Sequence, residues 1–190
     1  IAFFSQKFGF GNFMHRNPLN SHIWIFWRQN ISVDSLDFSA QHISVRIRDG
    51  DLDVFFSFVY VKCEVMERMD LWQRLSEFQA SSLPRFIGGD FNLIADTLEK
   101  RGGTDLASQG MLDFQNFLAE NGLIDMGFIG NKFTWSNNRK GNARIWCRLD
   151  RCLSNLQGLD SFARASVSHL TRTLLDHTPL LVELKTEDWR

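Results

Sequence analysis

The chain has 190 residues, about one domain's length and enough to bury a substantial core. Its 44% hydrophobic and 23% charged residues are ordinary for a globular protein, and no stretch reaches the ~18 apolar residues of a membrane span. A net charge of −1 says nothing by itself about an anionic partner, and three cysteines, Cys63, Cys147 and Cys152, fit neither a zinc site nor a disulfide framework.

Apolar runs of strand length recur along the chain: Ile23–Trp27, Ile43–Arg48, Val54–Val61 and Arg85–Ile87, then Lys132–Trp135, Ile145–Leu153, Ser166–Leu170 and Leu180–Leu184. The segment "ISVRIR" alternates and puts Ile43, Val45 and Ile47 on one face. Two helices are expected. Glu64–Gln79 carries Val65, Met69, Trp72 and Leu75 on one face, and Ser108–Asn121 opens on a capping serine and stops at Gly122. No repeat or linker interrupts this order, so residues 1–190 read as one domain. Two helices are too few for a doubly wound parallel fold, and the mixture points to layered α/β sheets with antiparallel pairing.

Charge is unevenly spread. Residues 1–33 hold no Asp or Glu but include Lys7, Arg16 and Arg28. Within residues 131–151, Lys132, Arg139, Lys140, Arg144, Arg148 and Arg151 face one acid, Asp150. His15, His22, His42 and His169 have no acidic or Cys/His partner at ligand spacing and read as structural or surface residues.

Polar groups also stand where hydrophobicity alone would not place them. Asp90 and Asn92 follow the short strand of "RFIGGDFN"; Gly, Asp and Asn are turn formers, so this is either ordinary turn chemistry or the lip of a site. Tyr60 ends the strand of "VYVKC", and Trp135, Ser136 and Asn137 end that of "FTWSNN". Asp150 lies inside the apolar "RLDRCL", where an unpaired carboxylate is costly, and Asp176 and His177 precede a strand opened by Pro179.

In order and spacing, "VYVKCEVMERMDLW", "GGDFN", "GNKFTWSN", "RLDRCL" and "LDHTP" resemble the endonuclease/exonuclease/phosphatase superfamily, the fold of apurinic endonucleases and DNase I. The wording is most similar to the endonuclease domain of plant non-LTR (LINE-type) retrotransposons, over nearly the whole chain. The resemblance implies a two-sheet, four-layer α/β sandwich of the DNase I-like type, opening its site at one end.

It further implies a DNA-nicking hydrolase that uses Mg²⁺ or Mn²⁺. Asp90 and Asn92 would hold the attacking water and the scissile phosphate. His177, oriented by Asp150, would stabilise charge on that phosphate, Tyr60 would touch it, and Asp176 and Asp90 would lie at the metal. His177 is then expected within ~10 Å of Asp90 and within ~3.2 Å of Asp150. Beside such a site the basic stretch is expected to contact nucleic acid through Trp135, Asn137, Arg139, Lys140 and Arg144.

Two departures from the pattern matter. Leu175 replaces the family's serine beside Asp176, and no match exists for an N-terminal metal-binding Glu. The domain is therefore expected to lack its first strands and to have an incomplete metal site, with no plasmid nicking by residues 1–190 at millimolar Mg²⁺. Alternative functions are a catalytically inactive remnant that at most binds nucleic acid, or the phosphatase and lipid-phosphodiesterase branch of the superfamily. The expected partner is DNA, with no membrane and no disulfide partner; a retroelement origin would place the protein in nucleus or cytoplasm.

Overall fold

The computed structural model describes residues 2–15, 22–77, 83–104, 109–173 and 175–186. Its centre is a six-stranded sheet in the order Ser32–Phe38, His42–Asp49, Leu52–Tyr60, Arg85–Asp90, Asp150–Ser154, Ile124–Asp125. All neighbours are antiparallel except Leu52–Tyr60 and Arg85–Asp90, which run parallel. A parallel pair needs a crossover, and the helix Val65–Ser76 lies in that connection.

Side chains alternate across this sheet and divide the core in two. On one face Val59, Val61, Ile87 and Leu153 pack against Leu71, Trp72 and Leu75 of that helix and against Phe114 and Phe117 of the helix Gln109–Glu120. The Trp72 and Phe117 rings stack at 4.4 Å between centroids. On the opposite face Val54, Phe56, Phe86 and Cys152 meet Val167, Leu180 and Val182 of a three-stranded sheet, Ile129–Gly130, Arg164–His169 and Leu180–Lys185. Further along that face Ile43 and Val45 pack with Ile23 and Ile25, where Asn12–His15 and Trp24–Trp27 pair antiparallel. Sheet therefore packs on sheet, with the two long helices outside the larger one.

Strand register sets the level at which polarity returns. Phe56, Phe86 and Ser154 lie abreast on the inter-sheet face; Phe58, Gly88 and Cys152 form the next row, and Tyr60, Asp90 and Asp150 the one after that. The last row is at the mouth of the sandwich.

Several expected elements are redrawn. The run Ile145–Leu153 is two strands, Trp146–Cys147 and Asp150–Ser154, so Asp150 opens a strand instead of lying inside one. Lys132–Trp135 reduces to Trp135–Ser136, which pairs with Trp146–Cys147 and, through it, with Lys100–Arg101. Ser32–Phe38 was not expected, because an edge strand of seven residues with every other one exposed needs few apolar groups. The first helix ends at Ser76 within the described residues; Gln79, and the capping Ser108 of the second helix, lie outside them. Cys63, Cys147 and Cys152 are free thiols. No helix among the described residues is long and apolar enough to cross a membrane.

Candidate active site

The turn after Arg85–Asp90 explains why "GGDFN" is built as it is. Gly89 has φ +143°, and a Cβ there would come 2.1 Å from the Val59 carbonyl oxygen, so only glycine lets the two strands pair so closely at this point. Asn92 takes φ +49°, its backbone N–H donates to Asp90 Oδ1 at 2.9 Å, and its side-chain amide donates to the Val61 carbonyl at 2.7 Å. The turn chemistry and the candidate site are thus one feature: the bonds that shape the turn also fix the Asp90 carboxylate.

His177 arrives from the other sheet, on the connection that precedes Leu180–Lys185. It forms an isolated backbone bridge with Trp135, while Ser136 N–H donates to the Asp176 carbonyl and Thr178 N–H to the Thr134 carbonyl. Its Nδ1 lies 2.9 Å from Asp150 Oδ2 and its Nε2 3.9 Å from Asp90 Oδ2. A carboxylate can only accept, so Nδ1 carries the proton and Nε2 faces Asp90. Both distances meet the expectations from sequence. The hydrogen bond that His177 donates to Asp150 raises the His177 pKa above the imidazole norm, against the opposing effect of burial. Burial, then the neighbouring Asp150 charge, pushes the Asp90 carboxyl up to about 6.

The remaining expected residues divide. Tyr60 is 38% exposed in the row of Asp90 and Asp150, with its ring 5.1 Å from that of His22. Asp176 is exposed beside the cluster, and its charge acts on both Asp90 and His177. Trp135 lines an open groove with Asn138, Arg139, Leu175 and Asp176. Asn137 lines the same groove and has a local role as well. Its amide donates to the Ala143 carbonyl at 2.9 Å and accepts from the Ile145 and Arg139 amides at 3.0 and 3.2 Å, so it braces its own loop.

The basic stretch also changes character. Arg148 and Arg151 are buried in an ion network with Glu99 and Asp125: Arg148 grips Asp125 at 2.7 and 2.9 Å and Glu99 at 2.7 Å, and Arg151 meets Glu99 at 2.9 Å and Asp125 at 3.1 Å. Burial opposes an ionised Glu99, but Arg151, the Ala95 N–H and Arg148 together outweigh it and hold the carboxyl below its usual range. The two arginines of "RLDR" therefore anchor the strand that carries Asp150 and are removed from any anionic surface. Lys132, Arg139, Lys140 and Arg144 remain exposed.

Sequence reading missed Thr134. It is fully buried, and its Oγ1 accepts the N–H of Leu149 at 2.9 Å and of Asp150 at 3.0 Å, while its carbonyl holds Thr178 at 2.7 Å. One residue thus ties Asp150 to the segment bearing His177. The signal was a β-branched hydroxyl inside the conspicuous "FTW", where the aromatic residue drew the assignment.

Asp90, Asp150 and His177 each offer one ligand atom within 4.8 Å of the others. Two carboxylates and an imidazole this close suit a divalent cation, and the Asp90 carboxyl is raised first by burial and then by the neighbouring Asp150 charge. Asp150 and His177 are hydrogen-bonded to each other, and the exposed Asp176 stands beside this cluster without belonging to it.

No family model matches the chain, and no curated protein matches it. Solved structures do. The chain is similar to the endonuclease domain of TRAS1, a telomere-specific non-LTR retrotransposon, at 16% identity and TM-score 0.59, over 82% of this chain and 70% of that one. It is also similar to the 3′ phosphatase NExo from Neisseria bound to product DNA hairpin (19%, TM-score 0.58, 87% of this chain and 74% of that one). A third likeness is D. rerio TDP2 complexed with single strand DNA product (11%, TM-score 0.59, 93% and 76%). What these likenesses and the packing establish is the fold: a two-sheet α/β sandwich of the DNase I-like type, with Asp90, Asp150 and His177 together at its mouth.

Proposed function

We propose that the chain is a divalent-metal-dependent phosphodiesterase acting on DNA, the endonuclease module of a LINE-type retroelement. One observation carries the chemistry: Asp90 and the Nε2 of His177 face each other across 3.9 Å, with Asp150 behind the imidazole at 2.9 Å. That gap is too long for a hydrogen bond, yet short enough for both groups to touch one phosphoryl group and its attacking water. In this reading Asp90, backed by the Asn92 turn, orients and deprotonates the water. His177, kept cationic by Asp150, donates from Nε2 to an oxygen on which charge develops. Tyr60 borders the same phosphate from the adjacent strand.

Asp90 and Asp176 would hold Mg²⁺ or Mn²⁺, which when bound neutralises phosphate charge as a Lewis acid. Two open carboxylates are a sparse set for a hard cation, so affinity is roughly millimolar or weaker. The LINE-type assignment is supported by the five ordered motifs and agrees with the likeness to TRAS1.

Nicking of supercoiled plasmid by the 190-residue chain, measured against rising Mn²⁺ and Mg²⁺, tests the proposal. The expected outcome is nicking that grows with metal well above millimolar, is abolished by EDTA, and is accompanied by negligible hydrolysis of p-nitrophenyl phosphate. Monoester hydrolysis without nicking would transfer the chain to the phosphatase branch. A folded chain inert towards both substrates at every metal concentration would leave the non-catalytic reading.

A further inference from the structure

Most arginines of the larger sheet and its helices are matched to acids: Arg46 to Asp53, Arg48 to Asp34, Arg74 to Asp37 and Asp70, and Arg148 and Arg151 to Glu99 and Asp125. A different group collects around Trp146. The Arg172 guanidinium carbon lies 4.7 Å from the centroid of the Trp146 ring and that of Arg144 lies 5.5 Å from it. Arg101, Lys140 and Arg144 line an open cleft of about 810 Å³ with Trp146, and no carboxylate is among its lining residues. None of these four cations is ion-paired to a described carboxylate, whereas the arginines above all are.

The pair on the tryptophan is held in place. Arg144 Nε donates to the Arg139 carbonyl at 2.6 Å, and Arg172 donates to the Asp176 carbonyl at 3.4 Å. Each guanidinium is therefore steadied by one backbone acceptor and one aromatic face, leaving further N–H groups directed elsewhere. An aromatic platform that orients two guanidinium planes lowers the entropy lost when they grip an anion, and arginine binds phosphate through paired donors. Strand pairing sets the cleft beside the candidate active site: Trp146 pairs with Ser136, whose N–H bonds the Asp176 carbonyl next to His177.

We infer that Arg144 and Arg172, mounted on Trp146 and flanked by Arg101 and Lys140, form a phosphate clamp for the nucleic-acid backbone beyond the scissile phosphate. The ligand chemistry is a run of phosphodiester anions. The clamp reads no base, since guanidinium and ammonium groups meeting phosphate oxygens carry no sequence information. It rests on the proposed nuclease reading for its substrate but not for its binding, which needs neither metal nor catalysis.

The test is fluorescence anisotropy of a labelled 12-mer duplex with the 190-residue chain in EDTA, over a series of salt concentrations. Arg144→Ala/Arg172→Ala is expected to weaken binding by about tenfold or more and to reduce the slope of log affinity against log salt by about 2, one per lost phosphate contact. Trp146→Leu should weaken binding with the circular dichroism spectrum unchanged, and Trp146→Phe should restore most of it. A wild-type chain that binds the duplex in EDTA with this salt slope but does not nick it with metal would count against the catalytic proposal alone and leave the clamp standing. Unchanged affinity and salt slope in the double arginine variant would overturn the clamp. So would release of the duplex by inorganic phosphate at an ionic strength where chloride leaves it bound, because that marks a single-anion site.

Discussion

Thr134 Oγ1 accepts the backbone N–H of Asp150 at 3.0 Å, and the Thr134 carbonyl accepts that of Thr178 at 2.7 Å, next to His177. Thr134 thus ties the carboxylate to the imidazole, its hydroxyl holding the Asp150 backbone and its carbonyl the segment of His177. Thr134→Val keeps the shape and removes the acceptor, leaving two buried N–H groups unsatisfied at a cost of about 1–3 kcal/mol each. Thermal unfolding should show a stability loss of that order, with nicking reduced further than stability explains, and Thr134→Ser should rescue both. Equal behaviour of the valine and serine variants would remove Thr134 from this role.

Asp90 yields a prediction whose sign depends on pH. Its folded pKa of about 6 lies above the ordinary 3.8, because burial and Asp150 disfavour the charge. The folded state then holds the proton more tightly than the unfolded one. That contribution is complete below pH ~4 and is lost as pH rises through ~6. Asp90→Asn mimics the protonated acid. In EDTA it should match wild type near pH 4 and exceed it at pH 8 by up to about 3 kcal/mol, from the two-unit shift. Denaturant midpoints at the two pH values decide it; a variant less stable than wild type at pH 8 contradicts the assignment.

The ion network behind the site should be sensitive to the loss of one member. Arg151→Met removes a fully buried cation and leaves Glu99 and Asp125 sharing Arg148. Breaking a buried pair costs about 3–5 kcal/mol, more than the methionine's apolar packing returns. Urea unfolding should show this loss, together with reduced Asp150–His177 function, since Arg151 follows Asp150 on its strand. A change below 1 kcal/mol would mean that the network is not what anchors that strand.

Backbone geometry predicts a sharp contrast between adjacent glycines. Gly89→Ala would drive its Cβ against the Val59 carbonyl at a φ that side chains avoid, whereas the Cβ of Gly88→Ala would meet the Phe56 ring edge at 3.0 Å. A ring can shift by tenths of an ångström and a paired strand cannot, so Gly89→Ala should be far more destabilising by thermal unfolding. Comparable losses at both positions would refute the argument from strand pairing.

The motifs were legible in sequence for a physical reason. A carboxylate, an amide or a histidine at a strand end violates the pattern a buried strand would have, so Asp90, Asp150 and His177 stood out before any geometry was known. Their meeting was not derivable from periodicity, since it depends on the register that sets Tyr60, Asp90 and Asp150 abreast on three adjacent strands. Charge counting failed at Arg148 and Arg151, because a tally over residues 131–151 treats every arginine as exposed while Glu99 and Asp125, distant in sequence, neutralise these two. Ser32–Phe38 escaped because an edge strand shows little hydrophobicity, and Thr134 because its importance lies in backbone groups it holds.

The central claim is that His177, held by Asp150 and facing Asp90, acts on a phosphodiester. The measurement closest to it is the initial rate of plasmid nicking at saturating Mn²⁺ by wild type, His177→Ala and Asp150→Asn, each checked for fold by circular dichroism. His177→Ala should lose roughly 10²–10⁴-fold, the usual contribution of a positioned proton donor, and Asp150→Asn less, because it keeps a contact with the imidazole but not the charge that stabilises its cationic form. Nicking by folded His177→Ala at the wild-type rate would contradict the account.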